Sequence, residues 1–563
     1  MSEVSVPTEL SASSAFPVQW DNPDDARVFW SWERMHFPHP VGWLAESVHI
    51  RSLSGGFGSA GEKYSLPVRI LYRVFNRYVY TGIAPRSHDP AVMAELSKRA
   101  EEQVKAAVMN LPRAWNEEYL PELKADIETY RSFDHARASD GDVAKHAAWA
   151  IERTKRHWEI HFWIAVPMLM TGATFVDAFK QIVGGDDALA PYTLVQGLPN
   201  KTVEAVHALW NLSRTVRASS AFRGALASEN PDAFFGELEK SAEGREFAEQ
   251  FRAFLDVYGW RGDLFALDDS TWAEYPRTPL NNLRSYVGQP DDASPAAEHA
   301  QLAEKREQAL AAVRARLAGA PAEARGQFEG LLQLAQFVTV LSEDHNYYID
   351  QTLLHLTRRA LMQAGERLAR RGQLDDKADV LMLTGSEVVE ALSHGDRPSL
   401  KATVAERRSE FARFSAMTPP PFLGTPPPPP PPGYQPSPME KAMTMFFGGP
   451  PIESTKTEIR GNAGSRGTVT GIARVVHSLD EASALQPGEI LVCPTTAPPW
   501  TPLFAVAGAV VTDTGGVLSH CAVVAREFGI PAVVGTHVAT SVIKTGQRVT
   551  VDGSAGTVVL DPA

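Results

Sequence analysis

Seven consecutive prolines, Pro426 to Pro432, lie within a proline-rich stretch, residues 418–438, of this chain of 563 residues. Proline fixes the backbone angle φ and has no amide hydrogen to donate, so such a stretch is expected neither to enter a β-sheet nor to continue a helix. An extended polyproline II helix needs neither a free φ angle nor an amide hydrogen, so the stretch is expected to be a spacer of this kind. A binding segment for an SH3-like module is the alternative. The sequence therefore predicts a proline-rich linker, residues 418–461, between two domains.

The chain before the linker has the pattern of a helical protein. Apolar residues recur at spacings of three and four, with Ala, Leu, Glu and Arg between them, in four long segments. These segments are residues 89–111, 200–222, 295–319 and 327–372. Residues 68–82 alternate instead and indicate a short strand or a hairpin. We expect residues 1–417 to form one large, mainly helical domain.

The pattern changes after the linker. From residue 462 onward, short runs of β-branched residues are separated by glycine and alternate with helical stretches such as residues 478–485. This alternation predicts a small α/β domain, residues 462–563. The predicted fold class is therefore multidomain, with a large α-helical N-terminal domain and a small C-terminal α/β domain joined by the proline-rich linker.

Composition excludes several classes of function. The formal net charge is −13 and no long basic run occurs, so nucleic acid is not expected as a partner. The most apolar stretch, residues 162–179, contains Pro167 and Asp177, which favours a buried helix over a membrane span. The N-terminus lacks the pattern of a signal peptide, and two cysteines, Cys493 and Cys521, cannot build a disulfide framework. We expect a cytoplasmic protein with no membrane partner.

One histidine stands at a chemically unusual position. A strand-like run is followed by Gly515 and Gly516, and then by Ser519 and His520 at the start of a helical pattern. Glycine permits sharp turns and close approach to a ligand, and serine is a good N-cap residue. The positive end of a helix favours the neutral, nucleophilic imidazole and stabilises a phosphoryl group carried on it. A capping or surface histidine is the alternative interpretation.

The run TDTGGVLSHCAVVAREFGIPAVVGT, residues 512–536, resembles the phosphohistidine signature of the swivelling domain in the phosphoenolpyruvate-utilising families. These families include phosphoenolpyruvate synthase, pyruvate phosphate dikinase and the rifampin phosphotransferases. The resemblance covers residues 462–563. It implies that His520 becomes phosphorylated.

The same resemblance gives roles to neighbouring residues. Those that it places around the phosphoryl group are the loop residues Thr514, Gly515 and Gly516, together with Ser519 and Arg526. Arg526 lies more than a helical turn and a half beyond His520. Pairing with Glu527 or covering the sheet is therefore an alternative role for this arginine.

Three segments before the linker resemble, in the same order, landmarks of the helical substrate-binding domain of rifampin phosphotransferases. They are residues 194–214, 258–276 and 343–392. The whole chain resembles a rifampin phosphotransferase without its ATP-grasp domain, and also the histidine-bearing subunit of phenylphosphate synthase. The resemblance implies that residues 1–417 bind the phosphoryl acceptor. It extends to the run PPWTPLF around Trp500, for which a packed loop is the alternative.

The donor site is expected on another chain. No glycine-rich loop with a phosphate-binding lysine occurs in roughly the first 300 residues, and the best glycine-rich stretch, residues 51–70, favours a mobile surface loop. The resemblance implies a separate ATP-grasp subunit that binds ATP and Mg²⁺ and phosphorylates His520. The acceptor is expected to be a hydroxyl of a small substrate, with phenols among the candidates. Two alternatives stay open: a phosphocarrier that relays phosphate to another protein, and a helical domain with non-phosphoryl chemistry and a structural or regulatory swivelling domain.

Phosphoryl transfer to a hydroxyl needs a proton acceptor and cations. His345 is flanked by acids and aromatics within an apolar helical pattern, which predicts a catalytic base or a substrate contact, with a solvated helical face as the alternative. The other candidates for substrate binding are Glu343, Tyr347, Tyr348, Arg261, Glu274, Trp500 and His36. His157 and His161 lie one helical turn apart, but no third zinc ligand is evident. No metal site is therefore assigned to this chain.

Overall fold

The computed structural model describes residues 16–228, 230–262, 264–394, 399–428, 433–450, 452–455 and 457–561. The chain divides into two compact units. The first unit consists of residues 1–167, 264–269 and 348–435, and the second of residues 168–263, 270–347 and 436–563. Residues 1–417, expected as one domain, are thus distributed over both units. Of the consecutive prolines, those at 429–432 lie outside the described residues.

The first unit is mainly helical, as the sequence predicts. Its α-helices are Arg51–Lys63, Pro90–Arg113, Leu120–Ser132, Leu354–Arg370, Gly385–Ser393 and Lys401–Ser415, with the part of Asp140–Ile182 that ends at Pro167. Shorter helical turns are Pro23–Arg27, Ala45–Ile50, Ala114–Tyr119 and Lys377–Met382.

Four strands form an antiparallel sheet in the first unit. In sheet order they are Val68–Phe75, Tyr78–Pro85, Phe29–Trp32 and Phe422–Gly424. The first two strands are the hairpin that the alternation of residues 68–82 predicts. Asn76 and Arg77 join them with φ angles of 49° and 69°, as a two-residue type I′ turn requires.

The strand Phe422–Gly424 corrects one prediction. The proline-rich residues 418–438 were expected to enter no sheet, and this is wrong, because Phe422 to Gly424 pair with the strand Phe29–Trp32. The new strand lies at the edge of the sheet, where its backbone needs a partner on one side only. Pro421 contributes its carbonyl oxygen, which accepts the amide hydrogen of Trp32.

The glycine-rich residues 51–70 provide a second correction. They were expected to form a mobile surface loop, but most of them lie in the helix Arg51–Lys63. This helix passes so close to its neighbour that a Cβ on Gly56 would lie 2.4 Å from the carbonyl oxygen of Trp158. Close helix packing therefore requires the glycine here.

The second unit combines a helical part with an α/β part, which agrees with the predicted fold class. The longer helices of its helical part are Lys201–Ala218, Ser220–Leu226, Pro231–Leu238, Ala242–Tyr258, Arg277–Val287, Pro295–Arg316 and Ala322–His345. Large side chains such as Phe247, Phe251, Leu283 and Tyr286 are fully buried in the core of this part.

The α/β part contains a sheet of eight strands. In sheet order they are Glu458–Arg460, Thr557–Leu560, Arg548–Asp552, Thr468–Val475, Ile490–Cys493, Ala509–Thr512, Ala532–Val534 and Asn462–Ser465. The pairs from Thr468–Val475 through Ala532–Val534 are parallel. The helices of this part are Pro438–Phe447, Thr501–Phe504, His520–Glu527 and Ala539–Val542. Both cysteines are buried in its core, as small fillers.

One helix among the described residues, Asp140–Ile182, is long and apolar enough to span a membrane by length and composition alone. It contains the stretch 162–179, for which the sequence favours a buried helix. Within its most apolar window, 61% of the residues are buried inside the protein. Such burial is typical of a core helix, so the helix is weak evidence for a membrane span.

Candidate active site at His520

The sequence around His520 folds as a strand, a glycine loop and a helix, in the predicted order. The buried strand Ala509–Thr512 precedes the loop, and the helix begins at His520. Gly515 has a φ of 103°, which residues with a side chain rarely adopt. A Cβ on Gly516 would lie 2.4 Å from the carbonyl oxygen of Met445. The glycines therefore allow a sharp turn and a close approach to a second backbone segment.

That second backbone segment is the end of the helix Pro438–Phe447. The amides of Gly516 and Leu518 donate to the carbonyls of Phe446 and Met445, over 2.9 and 2.7 Å. The helix therefore holds the loop that leads to His520.

The sequence-based linker, residues 418–461, missed the helix Pro438–Phe447. A local signal for it was present, because Ser437 and Glu440 form a capping box around the start of the helix, with Pro438 in its first turn. The proline-rich composition of the surrounding chain concealed this signal.

His520 is the first residue of its helix, and Ser519 occupies the N-cap position. The Ser519 hydroxyl makes no capping hydrogen bond, although its position is the one that the sequence predicts. Both ring nitrogens of His520 and Oγ of Ser519 are buried and have no hydrogen-bond partner among the described residues. Buried polar atoms are nearly always paired, so these three atoms need an explanation.

A carboxylate faces the His520 ring. Oε1 of Glu343 lies 3.6 Å from Nδ1, too far for a hydrogen bond but close enough for an ion pair. Oε2 of Glu343 accepts a hydrogen bond from the Thr202 hydroxyl over 2.6 Å. Burial raises the pKa of Glu343, but the charge of His520, the Thr202 hydrogen bond and the charge of His345 outweigh it, so the pKa is lowered. Glu343 is thus a fixed negative charge beside Nδ1.

Thr202 is a residue of this site that the sequence does not reveal. No motif marks it, and 141 positions separate it from Glu343 along the chain. Only the packing of the helix Lys201–Ala218 against the helix Ala322–His345 brings the two side chains together.

His345, the predicted base, is 5% exposed and lies in the second unit. Its Nδ1 is 2.8 Å from the carbonyl oxygen of Leu341. A carbonyl can only accept, so Nδ1 carries the hydrogen and the neutral ring has its unprotonated nitrogen at Nε2. This tautomer suits the ring to accept a proton.

Arg261 is a buried cation in the second unit, with 4% of its surface exposed. Burial lowers its pKa to about 10, against the opposing effect of Tyr347, Tyr258 and Glu343. Among the described residues, no hydrogen-bond partner is found for its Nε. A guanidinium with an unused donor is well suited to phosphoryl oxygens.

Three other candidates of the second unit have structural contacts. Tyr347 donates its hydroxyl to the carbonyl of Val257 over 2.9 Å, and Glu274 accepts the amide hydrogen of Thr271 over 2.8 Å. Trp500 is 4% exposed in the core of the α/β part, as its packed-loop alternative expects.

Tyr348 and His36 belong to the first unit, whereas His520 belongs to the second. Tyr348 packs beside Trp115, with ring centroids 6.2 Å apart. Nδ1 of His36 lies 2.9 Å from a carboxylate oxygen of Glu33.

Thr514 and Arg526 stabilise the loop before His520. The Thr514 hydroxyl donates to the carbonyl of Pro494 over 3.2 Å. The Arg526 guanidinium lies 3.9 Å from the ring centroid of Tyr192, and its Nη2 donates to the carbonyl of Val517 over 2.5 Å. Burial lowers the pKa of Arg526 to about 10, and the charges of Tyr192 and Glu527 oppose this effect.

Two family models match this chain. Residues 161–343 match the rifampicin phosphotransferase fourth domain, and residues 485–556 match the mobile domain of PEP-utilising enzymes. The first match ends at Glu343, and the second contains His520. The two residues that form the 3.6 Å contact thus come from two different family domains.

Curated relatives extend the comparison over the whole chain. Chondramide synthase cmdD of Chondromyces crocatus is 38% identical over 98% of this chain and 14% of its own length. The uncharacterized phosphotransferase YvkC of Bacillus subtilis is 30% identical over 95% of this chain and 62% of its own length. Rifampicin phosphotransferase of Streptomyces sviceus is 33% identical over 68% of this chain and 42% of its own length. This chain therefore spans less than two thirds of each of these relatives.

The two domain matches and the phosphotransferase relatives support a protein of the phosphoenolpyruvate-utilising family. Within that family, the chain lies close to the rifampicin phosphotransferases.

Proposed function

We propose that this chain is the phosphohistidine-bearing and acceptor-binding part of an ATP-driven phosphotransferase. His520 accepts a phosphoryl group and transfers it to a hydroxyl of a small substrate. The supporting observation is a group of three buried atoms at a helix N-terminus, the ring nitrogens of His520 and Oγ of Ser519, for which no hydrogen-bond partner is found in the described part of the chain. The amides and the dipole at such a terminus favour a bound phosphoryl group.

Glu343 gives the two ring nitrogens different roles. Its carboxylate stabilises a hydrogen on Nδ1, so the lone pair of Nε2 attacks phosphorus and the bond to the donor's leaving oxygen breaks. In the second step the N–P bond breaks and its electron pair returns to Nε2. The imidazole leaves as a neutral ring because Nδ1 keeps its hydrogen.

The acceptor hydroxyl loses its proton as its oxygen bonds to phosphorus. We assign the proton to the imidazole ring of His345, whose Nδ1 donates to the carbonyl of Leu341. Arg261 supplies the positive charge for the transferring phosphoryl oxygens.

The phosphoryl donor in this proposal is ATP, bound with Mg²⁺ by a separate ATP-grasp subunit. In this step the β-phosphoryl group would go to His520, AMP would leave, and water would take up the γ-phosphoryl group to give phosphate. The proposal is supported by the family matches and by the rifampicin phosphotransferase relatives.

We further propose that the acceptor is a small hydroxylated, aromatic compound. The first unit contains an aromatic cluster around a histidine that could bind such a compound. The ring of His49 lies 5.2 Å from Trp158, 5.4 Å from Phe37 and 5.6 Å from Phe265. His49 is fully buried, and neither of its nitrogens has a hydrogen-bond partner among the described residues. Burial lowers its pKa to about 3, so the ring is neutral and can bind a hydroxyl. His36 packs against Phe265 over 5.0 Å and extends this aromatic cluster.

The α/β part, residues 462–563, is proposed to swivel between donor and acceptor on the proline-rich segment. The helix Pro438–Phe447 is hydrogen-bonded to the histidine loop, so it moves with this part.

Labelling tests the phosphohistidine directly. The purified chain is mixed with a candidate ATP-grasp partner, Mg²⁺ and ATP labelled at the β-phosphorus, and acid-labile label on the protein is measured. Wild type and His477→Ala are expected to be labelled, and His520→Ala is not. His477 is an exposed histidine of the same α/β part, so it controls for the loss of any histidine. Label retained by His520→Ala, or acid-stable label in wild type, contradicts the proposal.

A chase with unlabelled acceptors tests the transfer step. Phenols, sugars and larger hydroxylated compounds are added to the isolated labelled protein, and transfer to the compound is measured. Transfer to a small molecule is expected. Transfer only to a second protein supports the phosphocarrier alternative instead.

A further inference from the structure

A cavity of about 680 Å³ lies in the second unit, away from the first turn of the His520 helix. The helical part contributes some of the residues between 179 and 196 and between 302 and 316 to its walls, and the α/β part contributes residues 465–467, Arg526 and Gly529. Gly529 follows the C-terminal end of the helix that begins at His520. The cavity is therefore distinct from the histidine site.

The charged side chains around this cavity are mostly cationic. They are Lys305, Arg316, Arg466 and Arg526, with Asp186 and Asp187. One of the acids is already neutralised, because Arg466 pairs with Asp187 over 2.5 Å. The whole chain carries a formal charge of −13, so a concave site with surplus cations stands apart from the rest of the surface.

The cations are placed at two depths. Lys305 and Arg316 are exposed at the rim, and no ion-pair partner is found for either among the described residues. Arg526 is only 8% exposed, and its Nε has no hydrogen-bond partner in the described part of the chain. A buried guanidinium donor that is not used by the protein is a site for a ligand acceptor.

The walls between these cations are apolar. They include Phe179, Val183, Leu189, Leu194, Leu302 and Val313. The cavity volume lies within the range of small-molecule sites, which combine apolar walls with a few placed polar groups.

We propose that this cavity binds a small amphipathic anion, whose acid group contacts the cationic side chains and whose apolar part lies against the aliphatic and aromatic walls. Its ligand is bound by both the helical and the α/β parts of the unit. Binding therefore stabilises the arrangement in which these walls meet. The proposal does not depend on phosphoryl transfer by His520.

The test uses the full chain and two fluorescent probes. The first is 8-anilinonaphthalene-1-sulfonate, an aromatic anion, and the second is N-phenyl-1-naphthylamine, which is similar but uncharged. The anion is expected to bind wild type with one site per chain and more tightly than the neutral probe. His520→Ala is expected to bind it as wild type does, so failure of the phosphotransfer proposal would leave this result unchanged.

Paired variants locate the site. Ala312 lines the cavity and Ala311 does not, although both are exposed on the same helix. Ala312→Trp is expected to weaken binding of the anionic probe by at least about tenfold, whereas Ala311→Trp leaves it unchanged.

A second pair tests the charge. Arg316→Gln is expected to weaken binding of the anionic probe by up to about fivefold and to leave the neutral probe unaffected. Arg314→Gln, two residues away and paired with Glu329, is the control. Equal binding by wild type and Ala312→Trp, or equal effects of Arg316→Gln and Arg314→Gln, overturns the proposal. Far-ultraviolet circular dichroism of the exposed-site variants establishes that they are folded.

Discussion

Replacing Glu343 by Gln removes one negative charge beside His520 while the size of the side chain stays the same. The carboxylate is 3% exposed and lies 3.6 Å from Nδ1 of an imidazole that is 13% exposed. The ordinary pKa of a glutamate is 4.5, and the pKa of Glu343 is lower than this. The carboxylate is therefore ionised at and above pH 4.5, and it becomes protonated only when the pH falls through its lowered pKa. The effect of Glu343→Gln should therefore be constant between about pH 6 and pH 8.

The geometry bounds the magnitude of this effect. Two unit charges at about 4 Å interact by about 4 kcal/mol near a protein surface, and this is a ceiling because desolvation and relaxation offset part of it. We expect Glu343→Gln to remove about half of this maximum, or about 2 kcal/mol, from the stabilisation of the transition state. The transfer rate should then fall about thirtyfold. Thr202→Val leaves the charge but removes its hydrogen bond, so it should cost about 1 kcal/mol, or about fivefold.

Rapid-quench kinetics on isolated phosphorylated protein measures this rate. Label leaving His520 is followed after acceptor is added, so phosphorylation by the partner does not enter the measurement. Glu329→Gln is the control, because Glu329 lies on the same helix and its partner is Arg314, on another helix. If Glu343→Gln transfers as fast as Glu329→Gln, the role given to Glu343 is wrong.

Three further predictions follow from the second unit. Burial raises the pKa of Glu527 to about 8, so the free energy of unfolding should fall as the pH rises from about 4.5 to about 8, and Glu527→Gln should remove this part of the pH dependence in urea denaturation. Gly516→Ala forces a Cβ against the Met445 carbonyl and should lower the free energy of unfolding by about 1 to 3 kcal/mol, whereas Gly330→Ala, in an open helical position, should raise it by about 0.5 kcal/mol. Burial raises the pKa of Cys521 to about 12, so its thiol should react with a disulfide reagent at pH 8 only after denaturation, and fast labelling of the native protein would contradict this.

The histidine loop could be predicted from sequence because its determinants are local. The strand Ala509–Thr512, the two glycines and the helix start lie within a short stretch of chain, and each has its own signal in residue type. The fold class could also be predicted, because apolar residues at helical spacing and runs of β-branched residues occur in different parts of the chain. Local propensity decides both.

The surroundings of His520 could not be predicted in this way. Glu343 was assigned to substrate binding on composition alone, and nothing in the sequence placed it beside His520. Thr202 carries no motif. Their meeting depends on how three helices pack, and pairwise contacts over such separations leave no pattern in one sequence.

The two wrong interpretations have a common physical cause. The glycines around Gly56 were interpreted as a loop, and the prolines around Phe422 as a spacer. Both interpretations used only the local backbone preference of the residue type. In the structure the glycine serves a close helix contact, and a short stretch beside the prolines pairs at a sheet edge. Tertiary contacts decide such positions, because a glycine or a proline restricts the backbone without specifying its neighbours.

The helix Pro438–Phe447, which lies within the predicted linker, is hydrogen-bonded to the histidine loop. A tether of residues 418–461 would leave the histidine loop supported only by its own domain. The hydrogen bonds from Gly516 and Leu518 to the end of this helix instead make the helix part of the loop's support. A swivel that broke them would lose two backbone hydrogen bonds, at a cost of about 1 kcal/mol each. A swivel of the α/β part, as proposed above, must therefore carry the helix Pro438–Phe447 together with the histidine loop.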